Sequence, residues 1–304
     1  MSRRHLLMLL GLAALWGASF MFIKVGDREL EPITLVGFRM ALGALTLLPI
    51  VAVSVGVRRA VGELRAAAAP LAVTGLFNSA IPILAITWAE TRIDSGLTAI
   101  IQASAPLFTA LLALRFSHDE RVTGARLGGV LLGFVGVALL VGGQPSGQVV
   151  AGLAVVFAAV CYASTGLYTA RHLRGVSPLV TALGALTAAT IATLPIGLFQ
   201  LPSHVPGWKV SASVLTLGIA GTGLAYILYY GLIAGAGASR AILITYLVPV
   251  FALVYGAALL GEPVTASAVG GLALVLAGVA LGTGALGLKR ARRAKVTAGS
   301  LDET

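Results

Sequence analysis

Long apolar runs separated by short polar stretches recur along the whole chain. Each run covers roughly 18 to 23 residues, which is enough for an α-helix to cross a hydrocarbon layer about 30 Å thick. We place the runs at residues 6–24, 33–55, 70–88, 95–114, 124–142, 149–169, 178–199, 210–233, 239–260 and 266–288. The pattern therefore predicts an all-α membrane protein with ten transmembrane helices.

The composition and charge of the chain indicate that it folds within a lipid membrane. The chain is 58% hydrophobic and 11% charged, with a mean hydropathy of +0.98. These values lie far outside the range of a soluble domain. A net charge of +10 could indicate nucleic-acid binding, but the basic residues are scattered at the ends of the spans. Most of them fall on one side if the spans alternate, which predicts that both termini are cytoplasmic.

The two halves of the chain resemble one another. Matching residues are separated by 146, 143 and 142 positions in turn, and they include Trp16 with Tyr162, Ser19 with Thr165, Ser79 with Thr222, and Pro106 with Pro249. Each half holds five spans, an odd number, so the second half must enter the membrane in the opposite sense. The sequence thus predicts inverted repeats at 1–143 and 149–288, followed by a basic cytoplasmic tail at 289–304. Inverted repeats are characteristic of secondary transporters.

Several stretches resemble the drug/metabolite transporter superfamily, and the EamA family in particular. Residues 94–101 and 106–112 are similar to that family's fourth span, and residues 15–20 are similar to its first. The counterpart in the second half, residues 238–251 followed by 261–265, resembles the other signature of the family. This resemblance implies ten helices around a central cavity, in a protein of the bacterial inner membrane that exports amino acids and related metabolites.

The resulting hypothesis is a secondary transporter that moves a small polar metabolite by alternating access. Its expected partners are the solute and the lipid bilayer, not nucleic acid, and both a monomer and a homodimer remain open. The chain contains no phosphate-binding Gly-Lys-Ser/Thr loop, and its one cysteine, Cys161, cannot form an internal disulfide. We expect no cofactor, metal site or enzymatic activity. The alternatives are a non-catalytic membrane assembly subunit and a lipid-handling membrane protein.

Two prolines inside related spans mark candidate hinges. Pro106 and Pro249 each free the carbonyl four residues earlier, and those positions carry the polar side chains of Gln102 and Thr245. Tyr246 follows Thr245 within the family-like signature. We predict that these residues face the substrate, although polar groups in kinked helices could instead bond to neighbouring helices.

Other polar and aromatic residues within the spans complete the predicted substrate site. Asn78 must find hydrogen-bond partners if buried, and Thr222, Tyr226 and Tyr229 can share one helical face. The aromatic and hydroxyl pairs of spans one and six are the last candidates: Trp16, Ser19, Tyr162 and Thr165. Stripes of aromatic residues can also serve packing.

Charged residues within the spans are interpreted as structural. Lys24 and Arg39 lie close enough to span ends for their side chains to reach the membrane surface. Glu262 is predicted to sit at the positive end of the last span. No carboxylate falls in the middle of a span, and Glu90 stands at a boundary. The sequence therefore predicts facilitated diffusion, with Glu90 as the candidate if transport is coupled to protons.

Overall fold

The computed structural model describes residues 2–116 and 124–283, so the predicted basic tail at 289–304 lies outside the described residues. Within these ranges every regular element is helical. In the part of the chain that the structure describes, seven helices are long and apolar enough to cross a membrane, and three shorter apolar helices accompany them at Arg126–Gly142, Ile244–Leu260 and Ala266–Gly282. The prediction of an all-α membrane protein is confirmed.

The described part of the first half contains α-helices interrupted by short π-helices. Its elements are α1 (Arg3–Gly26), α2 (Pro32–Val51), π1 (Ala52–Gly56), α3 (Val57–Ala66), α4 (Ala68–Gly75), π2 (Leu76–Ala80), α5 (Ile81–Glu90), α6 (Ser95–Gln102), α7 (Ala105–Phe116) and α8 (Ala125–Gly142). Ser2 caps α1, since its hydroxyl accepts a hydrogen bond from the backbone N–H of His5. Pro32 begins α2, where its fixed φ suits a first turn.

The second half has a similar order. Its elements are α9 (Ser146–His172), α10 (Pro178–Leu198), α11 (Trp208–Gly218), π3 (Ile219–Leu224), α12 (Ala225–Ala236), α13 (Ala238–Ala241), α14 (Ile244–Tyr255), π4 (Gly256–Leu260) and α15 (Ala266–Gly282). The hydroxyl of Thr265 accepts from the backbone N–H of Ala268 at 3.1 Å, which caps α15.

The predicted fourth and ninth spans are broken helices, not continuous ones. The first break separates α6 from α7, so Pro106 occupies the second position of a new helix, where a missing N–H leaves no bond unmade. The second break separates α13 from α14, and Pro249 lies inside α14. The interruptions therefore lie before the two prolines instead of at them.

The closest helix pairs join one half of the chain to the other. The pairs are α8 with α15, α2 with α10, α1 with α14, and α5 with α9. Glycines allow the first contact, since a Cβ added at Gly278 would lie 2.5 Å from the Cα of Gly133, and one at Gly271 would lie 2.4 Å from Leu140. The glycine-rich fifth and tenth spans thus pack on each other within one chain.

Loop contacts tie the bundle at both ends. We call the end where α1 begins the lower end and the end where α1 finishes the upper end. At the upper end, the ammonium of Lys24 donates to the carbonyls of Glu90 and Ile93. At the lower end, the carboxylate of Glu63 accepts a 2.8 Å hydrogen bond from the backbone N–H of Ser177.

Candidate functional site

A cavity of about 510 Å³ lies between the two halves. Its walls come from α1, α2, α4, π2, α5 and α6 of the first half and from α9, α10, π3, α12 and α14 of the second. The lining mixes apolar side chains with hydroxyls, amides and phenols. A volume of this size is typical of a site for a small molecule.

Most of the residues predicted to bind substrate line this cavity. They are Trp16, Ser19, Asn78, Gln102, Tyr162, Thr222, Tyr226 and Tyr229. These side chains come from six different helical elements and would not be neighbours without the inter-half packing. The structure therefore brings them together around one volume.

Three predicted residues, Thr165, Thr245 and Tyr246, are not part of the lining. Thr165 is buried, and its hydroxyl is held by the carbonyl of Cys161 at 2.7 Å, one turn earlier, and by the carbonyl of Phe77 in π2 at 3.0 Å. The hydroxyl of Thr245 donates to the carbonyl of Ile242 at the helix break. Tyr246 packs against an apolar cluster of α6, α7, α8, α9 and α15. These three side chains therefore lie outside the lining of this cavity.

An aromatic wall covers one side of the cavity. The rings of Trp16 and Tyr229 lie 5.4 Å apart at 45°, Tyr229 lies 5.4 Å from Tyr230, and Tyr230 stacks on Tyr226 at 6.0 Å. Such pairs hold each ring in place. Tyr230 was not among the predicted site residues, although its position four residues after Tyr226 is a signal for the same face.

Arg39 is the main functional candidate that the sequence interpretation missed. Its side chain does not reach for the membrane surface: the residue is 9% exposed and lines the cavity. Its Nε donates to Oγ1 of Thr222 at 3.0 Å, and that hydroxyl donates onward to the carbonyl of Leu217 at 2.8 Å. The position of Arg39, two turns inside an apolar span, was the signal that could have found it.

Small residues bring Arg39 and Thr222 together. A Cβ added at Gly43, one turn after Arg39, would lie 2.7 Å from Cγ2 of Thr222. A Cβ added at Gly223 would lie 2.5 Å from Cβ of Thr46. Glycine at these two positions therefore lets π3 approach α2 closely enough for the side-chain hydrogen bond.

Two carboxyl groups lie just above the cavity. Ile23 and Ile86 line its upper part, and Asp27 and Glu90 follow them one helical turn later. Neither carboxyl group has a hydrogen-bond partner among the residues that the structure describes, and Glu90 is fully buried. Burial raises the pKa of Asp27, which lies beyond the end of α1, to about 8 against the opposing charge of Lys24.

Glu262 joins the two halves at the upper end. Its carboxylate accepts from the backbone N–H and hydroxyl of Ser95 at 3.0 and 2.7 Å, and from the N–H of Gly96 at 3.3 Å. It therefore caps α6 in the other half, not the last span as predicted. Burial and the Glu262 charge raise the pKa of Asp94, the residue before this helix.

A cavity of mixed polar and apolar lining between the halves of an apolar helical bundle is typical of a membrane transporter. No group of three or more His, Cys, Asp or Glu residues suited to a metal occurs in the described ranges. The EamA-like transporter family matches residues 3–142 and again residues 150–283. The chain belongs to this family.

Individual relatives agree with this assignment. A probable terminal-alkyne amino-acid exporter of Streptantibioticus cattleyicolor is 30% identical over 88% of this chain and 89% of its own. A probable amino-acid metabolite efflux pump of Salmonella typhimurium is 27% identical over 96% of this chain and 99% of its own. A solved crystal structure shares the fold, with a TM-score of 0.64 at 20% identity over 93% of this chain and 97% of that one.

Proposed function

We propose that this transporter exports small polar metabolites, with amino acids as the expected class, by alternating access through the cavity between its halves. The observation that carries the proposal is that cavity: it is walled by both halves and lined by amides, hydroxyls and phenols inside an apolar bundle. An assembly subunit would have no need of such a volume. The names of the Streptantibioticus and Salmonella relatives support an amino acid as the cargo.

The proposed architecture is a pair of inverted repeats, residues 1–143 and 149–288, in a bacterial inner membrane with both termini in the cytoplasm. Two observations support it. The helical interruptions π2 and π3 begin at Leu76 and Ile219, which are 143 positions apart like Pro106 and Pro249. In addition, most of the lysines and arginines that the structure describes belong to the lower end, as a cytoplasmic surface requires.

The state of the cavity supports a carrier that is accessible from the cytoplasm. At the lower end, the lining includes Thr169 and Thr181, each within one turn of the end of its helix. At the upper end, the contacts of Lys24 and Glu262 join the helices above the cavity. Opening outward would require those upper contacts to separate.

Recognition by neutral groups favours facilitated diffusion as the mechanism. Asn78, Gln102 and Tyr226 can hydrogen-bond a solute without changing their own charge. Each neutral hydrogen bond contributes roughly 0.5 to 1.5 kcal/mol, which is about 2- to 13-fold in affinity. Proton coupling is the second candidate, and it is favoured by the buried, unpartnered carboxyl group of Glu90 one turn above the cavity within the described structure.

The test is flux of labelled amino acids in proteoliposomes, measured with and without an imposed pH difference. We expect flux in both conditions for the parent. Gln102→Ala and Tyr226→Phe should reduce it without abolishing it. Gln144→Ala and Tyr255→Phe are matched controls, because these side chains lie outside the central cavity.

The outcomes separate the candidate mechanisms. Flux that strictly requires the pH difference would reject facilitated diffusion and make Glu90→Gln the next variant to measure. Equal flux in Gln102→Ala, Tyr226→Phe and their controls would reject the cavity as the substrate site. No flux of any amino acid in the panel would reject amino acids as the cargo.

A further inference from the structure

The guanidinium of Arg39 is only partly engaged by the protein. Its Nε donates to Thr222 at 3.0 Å, whereas its two terminal nitrogens make no hydrogen bond with the described residues. The hydroxyl of Thr222 is itself held by the carbonyl of Leu217, so this contact fixes the plane of the guanidinium. The two terminal amino groups remain as a pair of donors in the cavity wall.

The described lining of the cavity supplies no carboxylate to pair with Arg39, and the buried carboxyl group of Glu90 lies one turn above that lining. Among the described residues that line the cavity, Arg39 is the only one with a charged side chain. The nearest part of the wall consists of neutral hydroxyl and phenol groups, including Tyr162 and Tyr226. A guanidinium that has no carboxylate beside it in the cavity wall is costly to bury, and an opposite charge on a bound solute would lower that cost.

The geometry points to Arg39 as the anchor for a carboxylate of the solute, and we infer that the carried metabolites are carboxylic acids. Two parallel N–H donors match the two oxygens of a carboxylate, which a lysine ammonium could not do in the same way. This inference rests on the proposed function in one respect: it takes the cavity as the solute site.

The same arrangement predicts which part of the solute is required for binding and which part can vary. The carboxylate meets the guanidinium, and the rest of the molecule lies towards the wall of Trp16, Tyr229 and Tyr230. The described lining contains no acidic side chain that would demand an ammonium group. Acids that lack the amino group of an amino acid should therefore bind, whereas amides of amino acids should bind much more weakly.

The experiment uses the purified full-length protein and isothermal titration calorimetry. The probes are L-phenylalanine, 3-phenylpropionate and L-phenylalaninamide, which share the aromatic ring and differ in the carboxylate and the amine. We expect both carboxylates to bind the parent and the amide to bind at least about tenfold more weakly, because a charge-assisted pair of hydrogen bonds is lost.

Variants at Arg39 separate charge from shape. Arg39→Gln should weaken the binding of both carboxylates by about tenfold or more. The affinity of Arg39→Lys for them should lie between those of Arg39→Gln and the parent, because the charge remains but the paired donors do not. Arg174→Gln is the control, since Arg174 is exposed and outside the cavity. Size-exclusion profiles and unfolding midpoints identify any variant that does not fold, and Arg39→Lys then carries the comparison.

Three results would overturn the inference: equal binding of acid and amide by the parent, unchanged binding of the acids by Arg39→Gln, or no binding of either carboxylate. These results differ from failure of the proposed function. A protein that transports amino acids yet binds acids and amides alike would contradict only the role of Arg39. A protein that binds the acids through Arg39 without any flux would contradict only transport.

Discussion

Removal of the Glu262 carboxylate should weaken the contact between the halves at the upper end. Three hydrogen bonds converge on this group from the start of α6, at 2.7, 3.0 and 3.3 Å. The site is half-buried, so we assign about 1 kcal/mol to each bond, below the range for a fully buried charge. Its position at a helix N-terminus adds about 0.3 to 1 kcal/mol.

The sum predicts that Glu262→Ala lowers the free energy of unfolding by about 3 to 4 kcal/mol. Glu262→Gln should lower the free energy of unfolding by less, because its amide oxygen can still accept a hydrogen bond. Part of the loss remains, because its amide NH2 group would face N–H donors. The assay is the midpoint of thermal unfolding in mild detergent, compared with chemical denaturation. Glu31→Ala is the matched control, since Glu31 also precedes a helix but is exposed and makes no side-chain cap.

A double-mutant cycle sharpens the test. Ser95→Ala removes one of the three bonds, so its effect should be much smaller in the Glu262→Ala background than in the parent. Equal destabilisation by Glu262→Ala and Glu31→Ala would refute the reasoning, as would full additivity of Glu262→Ala and Ser95→Ala.

Three further predictions follow from other contacts. The folded protein holds the Asp27 proton more tightly than the unfolded chain does, so stability should fall as pH rises from about 4 to about 8; Asp27→Asn should flatten this trend in unfolding midpoints, and an unchanged trend would contradict it. Gly278→Leu should overpack the contact of α8 with α15 and destabilise by about 1 to 3 kcal/mol or more, whereas Gly270→Leu, which meets open space, should be near neutral. In a cysteine-free background, an impermeant thiol reagent should label a cysteine at Arg28 from outside the cell and spare one at Arg58; the reverse pattern would reject the proposed topology.

The sequence predicted an all-helical membrane protein because the cause of that class is local. A helix that crosses lipid must be apolar along its length, and that requirement is visible in any window of about 20 residues. The breaks after Gln102 and Ala241 were not predicted, because apolar composition continues across them. The prolines nearby indicated irregular backbone but not where the hydrogen bonds would be lost.

The candidate site could be predicted only in part. Polar residues such as Asn78 and Gln102 stand out from an apolar background, and the cavity collects them. The direction of a side chain around its helix depends on which helices become neighbours, so Thr165 and Tyr246 could not be separated from Tyr162 and Tyr226 by spacing alone. Arg39 was misjudged for a related reason: its distance from the span end allowed either a surface or an interior position, and only the approach of Thr222 decides between them.

Two of the four described π-helices, π2 and π3, agree with a common origin of the two halves. A π-turn holds one more residue than an α-turn, so π2 and π3 can each arise from one residue inserted into a regular helix. They begin 143 positions apart, at corresponding places in the two halves. One insertion before a gene duplication explains both more simply than two insertions after it. Ser79 and Thr222, which line the cavity from these segments, would then descend from a single position of one ancestral half.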